Sequence, residues 1–175
     1  MLTSGIVNDS RLRVVASVGL VVGAVLGMAG TFASSVSWRG LAWGLDGTAL
    51  VVAAALLAVH HLRQGNDVVA AGFLVFVVGQ GLILSGAAID LAASTPSFGA
   101  GVALWAASLA LVSAPNVMPA VVRGIGFIAS LLFAVVAVTI FVGRALTPLS
   151  APLPFFAYPF LAATLFGWAW AHLRR

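Results

Sequence analysis

From Gly47 to Val59 the chain runs thirteen residues without a charge, and the wider segment Gly40 to His61 carries one carboxylate, Asp46, before it closes on His60, His61, Arg63 and Asp67. A helix needs roughly 20 mostly apolar residues to cross a hydrocarbon layer about 30 Å thick. This segment meets that length, and the pattern recurs. Apolar runs bounded by polar or proline-containing stretches are expected to form helices at about 14–35, 40–61, 68–93, 100–114, 122–144 and 155–172. The expected fold is an all-α integral membrane protein, a six-transmembrane-helix bundle occupying residues 1–175 as a single domain.

Composition supports that class and removes several chemistries. Hydrophobic residues make up 62% of the chain and charged residues 7%, with a mean hydropathy of +1.18; soluble domains carry about 25% charged residues. There is no lysine, so Schiff-base chemistry is absent. There is no cysteine, which removes disulfides, thiolate nucleophiles and thiolate metal sites. The net charge of +4 comes from arginine alone, with no basic patch or aromatic ladder of the kind that binds nucleic acid.

Arginine placement sets an expected orientation. With six spans, Arg11, Arg13, Arg63, Arg123, Arg174 and Arg175 fall on one side and Arg39 and Arg144 on the other. The positive-inside rule then gives N-in/C-in. The compartment expected is a bacterial-type inner (plasma) membrane, with the chain multi-pass and in contact with membrane lipids. Trp38, Trp43, Tyr158, Trp168 and Trp170 fall near expected helix ends, as interfacial aromatics do, whereas Trp105 does not.

Ionisable residues inside a bilayer are costly and usually face the bundle interior or a water-filled cavity. Asp46 is the first such residue, roughly 9 Å below the outer end of its expected helix. Asp90 and Arg144 are expected at a similar level, and Gln80 is the one strongly polar side chain midway. These residues, with Trp43 and Tyr158, are the expected ligand-binding set: an outward-facing polar pocket, lidded by the stiff, extended proline-rich segment TPLSAPLP at 147–154. It would take a small solute or amphiphile. A structural ion pair between Asp46 and Arg144 is the competing account. Sevenfold spacing puts Asp46, Ala53 and His60 on one helix face, and likewise Ser130, Ala137 and Arg144, and Tyr158, Leu165 and His172.

Gly19, Gly23 and Gly27 repeat every fourth residue and leave one helix face almost without side chains. Such a face permits close helix approach. It serves packing inside the chain, or a homo-oligomer or larger membrane complex docking through it. At the other end of the membrane, His60, His61 and His172 are candidate ligands for a metal, and His60 with His172 for a haem, though no recognised ligand spacing calls for either. No cofactor is expected. No GxSxG, HExxH or phosphate loop appears, and the GQG at 79–81 and GIG at 124–126 read as packing glycines inside spans. In length and span count the chain is comparable to the six-helix substrate-binding subunits of vitamin uptake systems, an analogy of architecture without shared motifs.

The leading expectation is thus a small membrane protein that binds a solute in its outer pocket, as a transporter or its substrate-binding subunit. The alternatives are a non-catalytic accessory subunit docking through the glycine face, and a membrane-embedded enzyme using the histidine end.

Overall fold

A computed structural model describes residues 3–87 and 90–174, with side-chain surroundings for 9–86 and 90–174. It contains six α-helices and no strand among the described residues: α1 Thr3–Phe32, α2 Val36–Arg63, α3 Asp67–Ala87, α4 Thr95–Ser113, α5 Ala120–Phe141 and α6 Tyr158–Leu173, the last preceded by a 3₁₀ turn at Phe155–Ala157. Five of them, α1 to α5, are long and apolar enough to cross a membrane. The sixth has 16 residues, about 24 Å of helix.

Helix ends differ from the expected spans for identifiable reasons. The polar N-terminal segment continues α1 outward by about three turns, helped by the Asp9–Arg13 ion pair at 3.7 Å, one turn apart on the helix surface. Residues 94–99, left between the third and fourth expected spans, instead cap and begin α4: Pro96 lies in the first turn, where its missing N–H costs nothing. The fifth helix stops at Phe141 rather than reaching Arg144. Gly143, at φ +97°, donates to the Ile140 carbonyl, and Arg144 N–H donates to Thr139, so the chain turns off the helix axis in a Schellman cap. The same closure follows α2 at Gly65, φ +72°. The third expected span overran as well: α3 ends at Ala87, residues 88 and 89 lie outside the described set, and Asp90 begins a turn. The proline-rich segment is folded and not extended. Thr147 N–H donates to the Ser150 hydroxyl, Ser150 N–H returns to the Thr147 carbonyl, and Phe155 N–H closes onto Ser150.

Each helix packs against the next in sequence, and α6 closes the ring on α1. The start of α1 and the end of α6 therefore lie at one end of the bundle, hereafter the terminal end, with the segment between α5 and α6 at the other. The α1–α6 seam is held by the Ser17 hydroxyl donating to the Ala169 carbonyl at 3.2 Å and by Arg13 donating to the His172 carbonyl at 3.2 Å. The α1–α2 seam is the glycine stripe: a Cβ on Gly19 would sit 2.9 Å from that of Ala53, one on Gly23 would overlap Leu50, and one on Gly27 would press on the Asp46 carboxylate. The stripe is thus covered by α2 of the same chain.

Apolar side chains fill the interior and also cover the outside. Val14, Val18 and Val25 on α1, Leu131, Val135 and Val138 on α5, and Phe166 on α6 are exposed. A helix apolar all round suits hydrocarbon and not water. Thr48 and Thr139, which face outward, turn their hydroxyls back onto the carbonyls of Gly44 and Val135. The chain has the build of a membrane protein.

Trp168 corrects the interfacial reading, being wholly buried, whereas Trp38 and Trp170 are exposed. It belongs to a column of touching rings through the bundle axis. Tyr158 meets Phe133 at 5.9 Å, Phe133 meets Trp105 at 5.3 Å, and Trp105 stacks on Phe76 at 5.8 Å. Phe76 meets Trp168 at 6.1 Å, Trp168 meets Phe73 at 5.0 Å, and Phe73 stacks on His61 at 5.6 Å.

Candidate functional site

The interior holds a cavity in the half of the bundle away from the termini, between α1, α2, α3, α4 and α6. It offers about 70 Å³ to the centres of water-sized molecules. A single water needs roughly 10–15 Å³ on that measure, so the space takes several waters or one compact organic group.

The walls follow from helical periodicity. On α2, Trp43, Asp46 and Leu50 succeed one another at three- and four-residue intervals, with Asp46 roughly 15 Å along the helix from Val36. On α3, Gln80 continues the inward face of Phe73 and Phe76 and leads to Ile83 and Leu84. Trp105 comes from α4, and Tyr158, Leu161 and Leu165 come from α6. The glycine stripe of α1 is what lets Asp46 sit so deep between α1 and α2, because Gly27 leaves its carboxylate the space a Cβ would take. Pro148, from the folded segment between α5 and α6, completes the wall on the side away from the termini.

Polar groups in the cavity are few; the Thr31 hydroxyl donates to the Gly27 carbonyl at 2.9 Å, but three other side chains carry atoms without a protein partner. Asp46 Oδ1, Gln80 Oε1 and Trp105 Nε1 are buried and form no hydrogen bond with the protein. Gln80 is 2% exposed and Trp105 6%. Buried polar groups in folded proteins are nearly always hydrogen-bonded, so three exceptions in one cavity are a concentrated departure. No arginine lies within ion-pairing distance of Asp46 among the described residues. Arg39, one α2 turn before Trp43, has its guanidinium 6.0 Å from that indole ring and donates to the Ala33 carbonyl at 2.6 Å.

Four of the six residues expected to form the pocket, Asp46, Gln80, Trp43 and Tyr158, are therefore brought to one cavity. Asp90 and Arg144 are not. Asp90 is exposed, and its Oδ1 accepts from the backbone N–H groups of Ala92 and Ala93 at 2.8 and 2.9 Å, capping its own turn. Arg144 is exposed beyond the end of α5, which removes it from the Ser130–Ala137 face and from the expected pocket, and it forms no ion pair with Asp46, the competing account. Trp105 and Pro148 complete the cavity without having been singled out as contacts. The signal for Trp105 was a tryptophan far from any helix end, and an indole N–H in hydrocarbon needs a partner.

A second polar cluster closes the terminal end. His60, His61 and His172 are buried, their ring centroids 5.1 to 5.8 Å apart. His60 Nδ1 lies 2.8 Å from Asp9 Oδ1 on the extended start of α1. His172 Nδ1 lies 2.6 Å from the Trp168 carbonyl, an acceptor only, so this nitrogen carries the hydrogen and Nε2 of the neutral ring accepts. His61 Nε2, 3.0 Å away, must then be the donor, leaving His61 Nδ1 to accept from Asn66. The tautomers are assigned by that network. No group of three or more His, Cys, Asp or Glu side chains converges as a metal-ligand set among the described residues. His60 and His172, the pair named as possible haem ligands, have ring centroids 5.8 Å apart, and His61 touches both rings. Adjacent histidines that point about 100° apart meet here because His172 fills the angle between them. Asp9 and Arg13, which tie this cluster to α1, lie before the first expected span at 14–35 and were not singled out as a pair.

Comparison of the chain with protein-family models, curated proteins and solved structures finds no match.

Proposed function

We propose that this chain is a multi-pass membrane protein that binds a small solute or amphiphile in the cavity walled by Trp43, Asp46, Gln80, Trp105 and Tyr158, as a carrier or as the substrate-binding part of an uptake system. The observation behind this reading is the concentration of unpartnered polar atoms in one apolar cavity. A ligand pocket is commonly mostly apolar with a few placed polar groups. In the histidine cluster, by contrast, His61 Nε2 pairs with His172 Nε2 and His60 Nδ1 with Asp9, and a single ring nitrogen, His60 Nε2, is left over. The arginine distribution favours the terminal end on the cytoplasmic side of a bacterial-type plasma membrane, which turns Pro148 and the cavity toward the outside.

The test is native mass spectrometry of the protein purified from its own membrane in mild detergent. The expected result is a reproducible small-molecule adduct on the wild type that is lost in Asp46→Asn with helical content unchanged. A bare wild-type chain, or an adduct equally retained by Asp46→Asn, would overturn this assignment of the site.

A further inference from the structure

The three unpartnered atoms also restrict what the cavity can take, and the following rests on the binding reading above. Two are acceptors, Asp46 Oδ1 and Gln80 Oε1, and one is a donor, Trp105 Nε1. The acceptors call for a ligand carrying N–H or O–H groups, and the indole N–H calls for at most one acceptor. The charge argument narrows the class further. A carboxylate withdrawn from water with no cation beside it is costly, and the arginines are engaged elsewhere or distant: Arg13 with Asp9, Arg39 with Ala33, Arg123 with the end of α4. An anion, or the carboxylate of a zwitterion, would find no cationic side chain among the residues lining the site. Trp43, Trp105 and Tyr158 in the walls are rings of the kind that attract cations; one face of Trp105 stacks on Phe76, and Arg39 already lies over Trp43 at 6.0 Å.

We infer that the cavity takes a compact organic cation: an ammonium group between Asp46 and Gln80, carried on an apolar body that lies among Trp43, Trp105 and Tyr158. The ammonium fulfils both acceptors and balances the charge, while Leu50, Leu161 and Leu165 shape the apolar remainder. A hydroxyl or ether oxygen on that body would accept from Trp105.

Three probes of nearly equal shape separate the alternatives: benzylamine, a cation at neutral pH; benzyl alcohol, neutral; and benzoate, an anion. Binding to the detergent-purified full chain is followed by tryptophan fluorescence, with Ala24→Phe, which fills the cavity, as the control for partition into the micelle. A charge-assisted hydrogen bond exceeds a neutral one by enough to give benzylamine a roughly tenfold preference over benzyl alcohol. In Asp46→Asn, which keeps shape and an acceptor but removes the charge, that preference should fall to near unity. Benzoate should not compete. Equal or tighter binding of benzyl alcohol or benzoate, abolished by Ala24→Phe, would overturn the cation class while leaving a binding cavity in place. No cavity-dependent signal from any probe, with an adduct still present on the native protein, would also overturn the class. No signal and no adduct would remove both the class and the site.

Discussion

Single residues in this bundle divide into those whose polar atoms are committed to the protein and those whose are not. His61 and His172 are of the first kind. Their shared hydrogen bond fixes both tautomers, and removing one ring takes away the other's partner in a buried setting. Leaving a buried polar group unpaired costs about 1–3 kcal/mol, whereas replacing both partners by apolar groups is much less harmful. Thermal unfolding of His61→Phe, His172→Phe and the double variant should therefore show a double loss smaller than the sum of the singles. Strict additivity would show that the pair is not coupled. Asp46 is of the second kind, and so Asp46→Asn should leave thermal stability close to wild type while changing what is bound. A large stability loss in Asp46→Asn would mark the carboxylate as structural.

At the scale of elements, the turn residues decide where helices stop. Gly143 adopts φ +97°, a backbone region where a Cβ costs roughly 1–2 kcal/mol. Gly143→Ala should lower the stability of the purified protein by about that amount, read by thermal unfolding, whereas Gly124→Ala, at a helical glycine with open space around it, should not. The same glycine explains one limit of the sequence. The length of the apolar runs located all six helices, because such a run in a chain this poor in charge has no other use. It carried α5 on to Arg144, since Val142 and Gly143 are as compatible with hydrocarbon as the residues before them. Only a Schellman cap, which depends on one residue's φ, ends the helix there. The pocket was legible in part for the same reason. Asp46, Gln80, Trp43 and Tyr158 announced themselves as polar or amphipathic groups within or near spans, and helix phase placed them inward. Asp90 was joined to them by depth alone, and Arg144 by depth and by a sevenfold spacing that holds only while α5 continues; neither tells a wall from a loop. The histidine end was underread because Asp9 lies in a segment whose composition gave no reason to expect a helix.

For the molecule as a whole, the ring of six helices puts the start of α1 and the end of α6 at one end and makes the alternation of loops a testable property. The chain has no cysteine, so a single introduced thiol reports its own side. In sealed vesicles, Gln64→Cys in the α2–α3 turn and Ala92→Cys in the α3–α4 turn should react with an impermeant maleimide from opposite faces. Labelling from the same face would contradict α3 as a crossing helix. The aromatic column has a further consequence. Between the cavity and the terminal end stand Trp105, Phe76, Trp168, Phe73 and the histidines, ring against ring, and moving them aside requires collective helix motion on the microsecond-to-millisecond scale or slower. On its terminal side the cavity is consequently a cul-de-sac in this conformation: under the proposed binding role, an occupant would leave by the mouth through which it entered unless the column moved.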